Sequence, residues 1–370
     1  MKKLGFGLMR LPLNSSDHTD IDMNKTTEMI DAFIAAGGTY FDTAYPYHGG
    51  KSEIAFREAV VKRYPRESFT VTDKLPIFSI SRKEQMEEIF SEQLERCGVD
   101  FFDYYWVHSL GTENYKTAER IDAFGFISRK KAEGKIKHIG FSFHDSPDVL
   151  EQILNDHPET EYVQLQINYL DWEDKGVQAR RCYEVAIAHK TPIIIMEPIK
   201  GGALASVPEK AEAILKEAEP DMSTASWAMR FAASLEGVLT VLSGMSTIEQ
   251  VKDNVSYMME LKPLTERENE AVMKCAEIIR SNIAIPCTAC RYCTDECPKD
   301  IPIPDYFTVY NDKERYAIQH WEAENKYKKI SDGHGKASEC ISCGKCENHC
   351  PQHLPVRDYL KKIAAQLERR

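Results

Sequence analysis

The chain has 370 residues, 47 basic and 58 acidic side chains and a formal charge of −11. That length holds one full core of roughly 250–300 residues and a second domain. The acidic balance without a basic stripe argues against a nucleic-acid binder, and with no apolar stretch near 18 residues no membrane-spanning helix is expected.

Lys2 and Lys3 ahead of Leu4–Leu13 have the outline of a short signal peptide. Arg10 interrupts the apolar stretch and no small-residue cleavage site follows, so the expectation is a surface hairpin and a cytoplasmic protein. Asp20 or Asp22 is placed to cap a helix over Lys25–Ala36, with Met29, Ile30, Phe33 and Ile34 as its apolar face and Gly37-Gly38 as its stop. A strand–helix alternation follows. Thr39–Asp42 precedes Ser52–Arg63, Phe69–Lys74 precedes Arg82–Cys97, and Tyr104–His108 precedes Ala118–Gly134. Ile136–Ser142 precedes Pro147–Asn155, and Tyr162–Ile167 precedes Gly176–His189. Ile193–Glu197 precedes helical material between Pro208 and Ala218 and then Thr224–Ser234; Val238–Leu242 precedes Ile248–Met258.

These units have βαβ spacing. Their number, and the lack of Gly-x-Gly-x-x-Gly after the first strand, favour an α/β fold closed as a (β/α)8 TIM barrel over an open doubly wound sheet. The eighth strand is poorly marked, with Tyr257–Leu261 the weak candidate. Glu266–Ser281 is a further helix, followed by Ile283–Pro286, and a plausible helix lies around Glu314–Tyr327. The change in composition sets the boundary near residue 282, with a barrel over 1–282 and a second, mostly α-helical domain over 283–370.

Eight of the eleven cysteines form two runs, Cys287-x2-Cys290-x2-Cys293-x3-Cys297-Pro298 and Cys340-x2-Cys343-x2-Cys346-x3-Cys350-Pro351. In so long a chain this is metal ligation in a reducing compartment, not a disulfide framework. The spacing is that of bacterial two-cluster ferredoxins, in which the fourth cysteine of each run serves the other cluster. Two [4Fe–4S] clusters are expected, one on Cys287, Cys290, Cys293 and Cys350, the other on Cys340, Cys343, Cys346 and Cys297. Zinc is the alternative for Cys-x2-Cys pairs. Cys97, Cys182 and Cys275 sit in helical patterns and read as buried, inert thiols.

Asp42, Tyr47, Lys74 and His108 all fall at or just beyond the C-terminal ends of predicted strands, where a barrel keeps its chemistry. Singly, each has an ordinary structural explanation. Together they form a coherent site. A lysine beside a tyrosine favours the phenolate, a carboxylate holds the lysine, and a histidine can donate to a carbonyl oxygen.

The stretch Phe41-Asp42-Thr43-Ala44-x-x-Tyr47, with Gly49-Gly50-x-Ser52-Glu53 behind it, followed by Thr72-Asp73-Lys74 and Val107-His108, resembles the aldo-keto reductase family over residues 1–262. The resemblance implies a barrel that reduces carbonyls with NAD(P)H, the tetrad Asp42, Tyr47, Lys74 and His108, and Tyr47 as proton donor. It also implies nicotinamide contacts at Ser142, Gln164 and Asn168, although Phe143 stands where the family usually has asparagine. Ser243, Gly244, Ser246, Gln250 and Asn254 match the segment that cradles the nucleotide. Ser246 stands where many members carry an arginine for the NADP phosphate, and Lys200 in Lys200-Gly201-Gly202 is a candidate to supply that charge. With the cysteine runs, the whole chain resembles the iron–sulfur branch of the family.

Nicotinamide exchanges two electrons as hydride and each cluster takes one. Flavin is the usual splitter, and FMN in the barrel or on a flavoprotein partner would serve; a ferredoxin is the other possible carrier. The leading expectation is an oxidoreductase acting on a small carbonyl/alcohol pair, with the clusters relaying electrons. The alternatives are an ordinary carbonyl reductase with structural clusters, and a non-catalytic electron-transfer or scaffold subunit.

Overall fold

Eight short runs form strands in the computed structural model of the chain, which describes residues 2–15, 17–282, 284–316 and 320–368. They are β1 (Leu4–Gly7), β2 (Tyr40–Asp42), β3 (Thr70–Leu75), β4 (Phe102–Leu110), β5 (Ile136–Phe143), β6 (Tyr162–Gln166), β7 (Ile193–Met196) and β8 (Val238–Ser243). Each pairs in parallel with the next, and β1 pairs with β8, closing the barrel. Helices follow the strands in the manner of a TIM barrel.

Seven strands occupy nearly the residues expected. The eighth is β1, not Tyr257–Leu261, most of which ends or follows the helix Ile248–Met258. The expected hairpin over Leu4–Leu13 is instead β1 followed by a single 3-10 turn, Leu8–Arg10. The strand was hidden because it is buried on both faces and so lacks polar alternation. A Cβ on Gly5 would lie 2.7 Å from the Leu242 side chain and 3.0 Å from the Tyr40 ring, so glycine lets β8 and β2 close in.

Outward-facing phenylalanines tie the sheet to its helices. Phe6 meets Phe33 at 5.5 Å, Phe33 meets Phe41 at 5.5 Å, and Phe41 meets Phe56 at 5.7 Å between ring centroids. Phe33 belongs to the helix Met23–Ala35, which Asp22 caps by accepting from the Lys25 amide at 3.0 Å. Inside the barrel, Tyr40, Tyr104, Trp106, Ile194 and Leu242 pack together with Tyr162 against them. These side chains come from β2, β4, β6, β7 and β8 and fill the interior beneath the C-terminal strand ends.

Packing divides the chain into two units: Met1–Glu173, Gln178–Ile199 and Ala225–Asn269 in one, and Asp174–Val177, Lys200–Thr224 and Glu270–Arg370 in the other. The second unit therefore starts well before a single cut at residue 282. The helix Glu266–Asn282 contributes Val272, Cys275 and Ile279 to buried packing, and the Cys275 thiol donates to the Ala211 carbonyl at 3.2 Å. Ile283, in the expected Ile283–Pro286 segment, and residues 317–319, inside the expected helix Glu314–Tyr327, lie outside the described residues. Helices Ile303–Tyr316 and His320–Ser331 flank the latter gap.

The second unit has its own core, in which Ile301, Ile303, Tyr306, Phe307, Leu354, Val356, Leu360 and Ile363 are all buried. The two cysteine runs lie in matching local structures. Each places a short helix, Tyr292–Asp295 or Lys345–Asn348, after its second cysteine and a longer helix, starting at Ile303 or Val356, after its fourth. Left-handed backbone recurs at equivalent points: Ala289 with Ser342, Arg291 with Gly344, and Asp300 with His353. Among the described residues no helix is long and apolar enough to cross a membrane.

Candidate functional site

Three neighbouring strands deliver the barrel's titratable groups. Asp42 is the last residue of β2, Lys74 lies near the end of β3, and His108 near the end of β4. Lys74 Nζ donates to Asp42 Oδ1 at 2.6 Å and to the Thr43 carbonyl at 2.6 Å, with both side chains of the ion pair buried. The same Nζ lies 4.9 Å from the centroid of the half-buried Tyr47 ring. The His108 ring meets the Tyr47 ring edge-on at 6.2 Å. All four expected residues therefore lie together.

Local chemistry fixes the turn that presents Tyr47. Thr43 Oγ1 and Ser52 Oγ are 2.8 Å apart, and Ser52 Oγ donates to the Leu8 carbonyl at 3.0 Å. His48, left-handed at φ 52°, accepts from the Leu11 amide at Nε2, which leaves Nδ1 to donate to the His18 carbonyl at 2.6 Å.

Burial sets the site's electrostatics. It raises the Asp42 carboxyl, while Lys74 opposes the rise. Burial, then Lys74 and His144, hold His108 well below the ordinary imidazole value. His108 is thus neutral at pH 7, one ring nitrogen a donor and the other an acceptor. Its Nδ1 is buried with no partner among the described residues. Such an atom fits a polar ligand group.

Beside Lys74, Glu53, Asp73 and Cys97 form one buried group. Glu53 pairs with Arg96 at 3.1 Å, Asp73 accepts from the Lys74 amide at 2.8 Å, and the Cys97 thiol donates to Asp73 at 3.6 Å. Burial and then the charge of Asp73 push the Glu53 carboxyl up strongly. Glu53 therefore keeps its proton at neutral pH.

The expected nucleotide contacts fall into three settings. Gln164 Nε2 donates to the tetrad's Asp42 Oδ2 at 3.3 Å, and Ser142 Oγ accepts at 2.7 Å from the amide of Ser109, the residue after His108. Asn168 is spent on its own turn: its amide donates to Asp171 and the Glu197 carbonyl, and its carbonyl accepts from the Leu170 and Asp171 amides. Asn254 donates to Ser243 Oγ at 2.9 Å and accepts from Tyr257, while Gln250 accepts from the Ser246 amide at 2.7 Å. Gly244 connects these groups in the turn after β8.

Lys200 packs in the second unit, with Nζ donating to Gln352 Oε1 at 2.7 Å. Arg10 lies at the β8 turn. Its side chain lies against Gly244, its carbonyl accepts from Ser246 Oγ at 2.6 Å, and its guanidinium is 3.8 Å from Glu197. The interruption of the Leu4–Leu13 run was its only trace in sequence. Phe78, 42% exposed and 5.4 Å from the His108 ring, and His144 are further mouth residues that the sequence left unmarked.

In the second unit the eight clustered cysteines form no disulfide. Cys297, Cys340, Cys343 and Cys346 line one cavity with Lys299, Gly344 and Arg357. The fourth cysteine of the first run thus sits with three of the second. Burial raises the Cys293 thiol, and its next strongest neighbours are Cys290, Cys287 and Cys350. Burial likewise raises Cys346, followed by Glu347 and then Cys340, Cys297 and Cys343. Left-handed residues curl each loop, and the Ala289 amide donates to Cys287 Sγ at 3.4 Å. Two crossed sets of four thiols with amides turned to sulfur fit two iron–sulfur clusters.

Residues 3–277 match the model of the aldo/keto reductase family, and residues 286–355 match that of the 4Fe-4S dicluster domain. The chain is similar to an NADH-specific methylglyoxal reductase of Escherichia coli, 24% identical over 299 residues, or 70% of this chain and 90% of that protein. It is also similar to an L-galactose dehydrogenase of Arabidopsis thaliana, 24% identical over 302 residues, covering 73% and 90%. Among solved structures, an aldo-keto reductase of Bacillus halodurans in its holo form superposes with TM-score 0.60 at 25% identity, covering 74% of this chain and 91% of that one.

Proposed function

The chain belongs to the aldo/keto reductase family, and from that premise we propose that its barrel mouth interconverts a small carbonyl compound and the corresponding alcohol. One observation carries the reading: Lys74 Nζ is held between Asp42 Oδ1, at 2.6 Å, and the Tyr47 ring, at 4.9 Å. A phenol ordinarily ionises near pH 10 and is a weak acid at neutrality. A cation under the ring favours the phenolate and makes the hydroxyl a better proton donor. Asp42 keeps that cation in place. Neutral His108 donates a hydrogen bond to the carbonyl oxygen, polarising it.

NAD(P)H bound at the mouth would supply hydride to the carbonyl carbon. Tyr47 gives its proton to the oxygen, so hydride and proton together account for the alcohol. Ser142 and Gln164 would hold the nicotinamide amide. Gly244, Ser246 and Gln250 would cradle the nucleotide phosphate, with Arg10 in place of Lys200 as the cation.

The crossed cysteine sets would hold two [4Fe–4S] clusters that relay single electrons. A carrier that takes two electrons and releases one at a time must connect them to hydride chemistry. FMN in the barrel or on a flavoprotein fits that role, and a ferredoxin would accept the single electrons. Anaerobic purification with an inventory of iron, sulfide, flavin and nicotinamide tests the assembly. Iron and sulfide in equal amounts, about eight each per chain, together with cluster bleaching by NAD(P)H and flavin, are the expected result. Clusters that dithionite bleaches but NAD(P)H and flavin leave oxidised would restrict them to a structural role.

A further inference from the structure

The loop Lys200–Gly202 has an unusual backbone. Lys200, Gly201 and Gly202 are left-handed in succession, at φ 45°, 63° and 100°. A lysine in that region is strained, and such strain persists only where the surroundings fix it. The surroundings are the cysteine segments. Gly201 is packed so tightly on the backbone of Thr288, between Cys287 and Cys290, that a Cβ there would collide with the Thr288 carbonyl. Lys200 is 3% exposed, and its Nζ donates at 2.7 Å to Gln352, two residues beyond Cys350. The loop thus bridges the two segments that supply Cys287, Cys290, Cys293 and Cys350.

The other thiol set differs. The position matching Gln352 after the fourth cysteine of the first run is Lys299, which lines the Cys297–Cys340–Cys343–Cys346 cavity with Lys345 and Arg357; both lysines are exposed, and Arg357 is paired with Glu347. Solvent and salt screen an exposed charge, whereas a buried one is screened much less. Each four-thiolate cluster gains one negative charge on reduction, and nearby charge is among the determinants of its potential.

We propose that Lys200 is a fixed positive charge that raises the reduction potential of the cluster on Cys287, Cys290, Cys293 and Cys350 above that of the second cluster. The proposal rests on the two-cluster reading above. The couple is one electron per cluster, with no proton moved and no bond made to the lysine. The cluster beside Lys200 then fills first and is the one that retains an electron.

The test is an anaerobic redox titration of the full-length holoprotein, with dithionite as reductant and both clusters followed by electron paramagnetic resonance. Wild-type protein is expected to give two separable one-electron waves. Lys200→Gln lowers the upper wave by about tenfold in the reduced-to-oxidised ratio at fixed potential, about 59 mV for one electron. Lys200→Arg restores it, and Lys299→Gln moves the lower wave less. Wild-type protein without two cluster signals overturns the two-cluster reading and this proposal with it. Both signals present but unmoved in Lys200→Gln overturns this proposal alone. Equal loss of iron in Lys200→Gln and Lys200→Arg assigns the lysine a structural role and also overturns it.

Discussion

Lys74 Nζ and Asp42 Oδ1 are 2.6 Å apart at the ends of neighbouring strands, and neither side chain reaches solvent appreciably. Removing one member of a buried pair leaves the other uncompensated, at a cost of roughly 3–5 kcal/mol. Lys74→Met is therefore expected to lower both unfolding free energy and turnover. Denaturant titration should register most of that loss, and kcat should fall about 10²-fold or more, the scale of general-acid assistance. Full turnover in a folded Lys74→Met protein would remove the lysine from the mechanism.

His108 is buried with its pKa held well below the ordinary value of about 6.5. Below that pH the unfolded chain binds a proton that the native state refuses. Stability contributed here is full above about pH 6.5 and declines as pH falls beneath it. His108→Phe should flatten that part of the stability profile measured by urea unfolding between about pH 5 and 7. A slope identical to wild type would place the responsible proton elsewhere.

Glu53 has the opposite sign. Its carboxyl is raised, chiefly by burial and then by Asp73. The native state keeps a proton that the unfolded chain releases near pH 4.3. Stability from this group is present below that pH and is lost as pH rises towards the elevated native value. Glu53→Gln keeps a neutral side chain at this position, so the mutant should lose less stability than wild type between neutral and alkaline pH. Parallel profiles would show that Glu53 does not carry the proton.

The crossed thiol sets make a pairing prediction. Cys297→Ser should perturb the same cluster as Cys343→Ser, although Cys297 lies in the first run. Cys350→Ser should perturb the same cluster as Cys290→Ser. Resonance spectra of the four variants, with iron counts, decide the matter. Cys297→Ser grouping with Cys290→Ser would mean that each run holds its own cluster.

Legibility in the sequence followed how local each signal was. Asp42, Tyr47, Lys74 and His108 could be read because apolar runs deliver them to one barrel end, and the cysteines because thiolate spacing is itself the signal. β1 was missed because a fully buried strand containing Gly5 and Gly7 lacks the alternation that marks strands. The contacts of Arg10 and Lys200 are not legible in the sequence because their partners lie far along the chain. Arg10 rests against Gly244, and Lys200 bonds Gln352. No local pattern encodes either contact.

On the proposed function, Tyr47 gives the proton in carbonyl reduction. It is tested most directly by steady-state NAD(P)H oxidation with a small aldehyde, comparing wild type with Tyr47→Phe, alongside NAD(P)H binding by fluorescence. Tyr47→Phe should lower kcat by about 10²–10⁴-fold with nucleotide affinity unchanged. Wild-type turnover in Tyr47→Phe would contradict it.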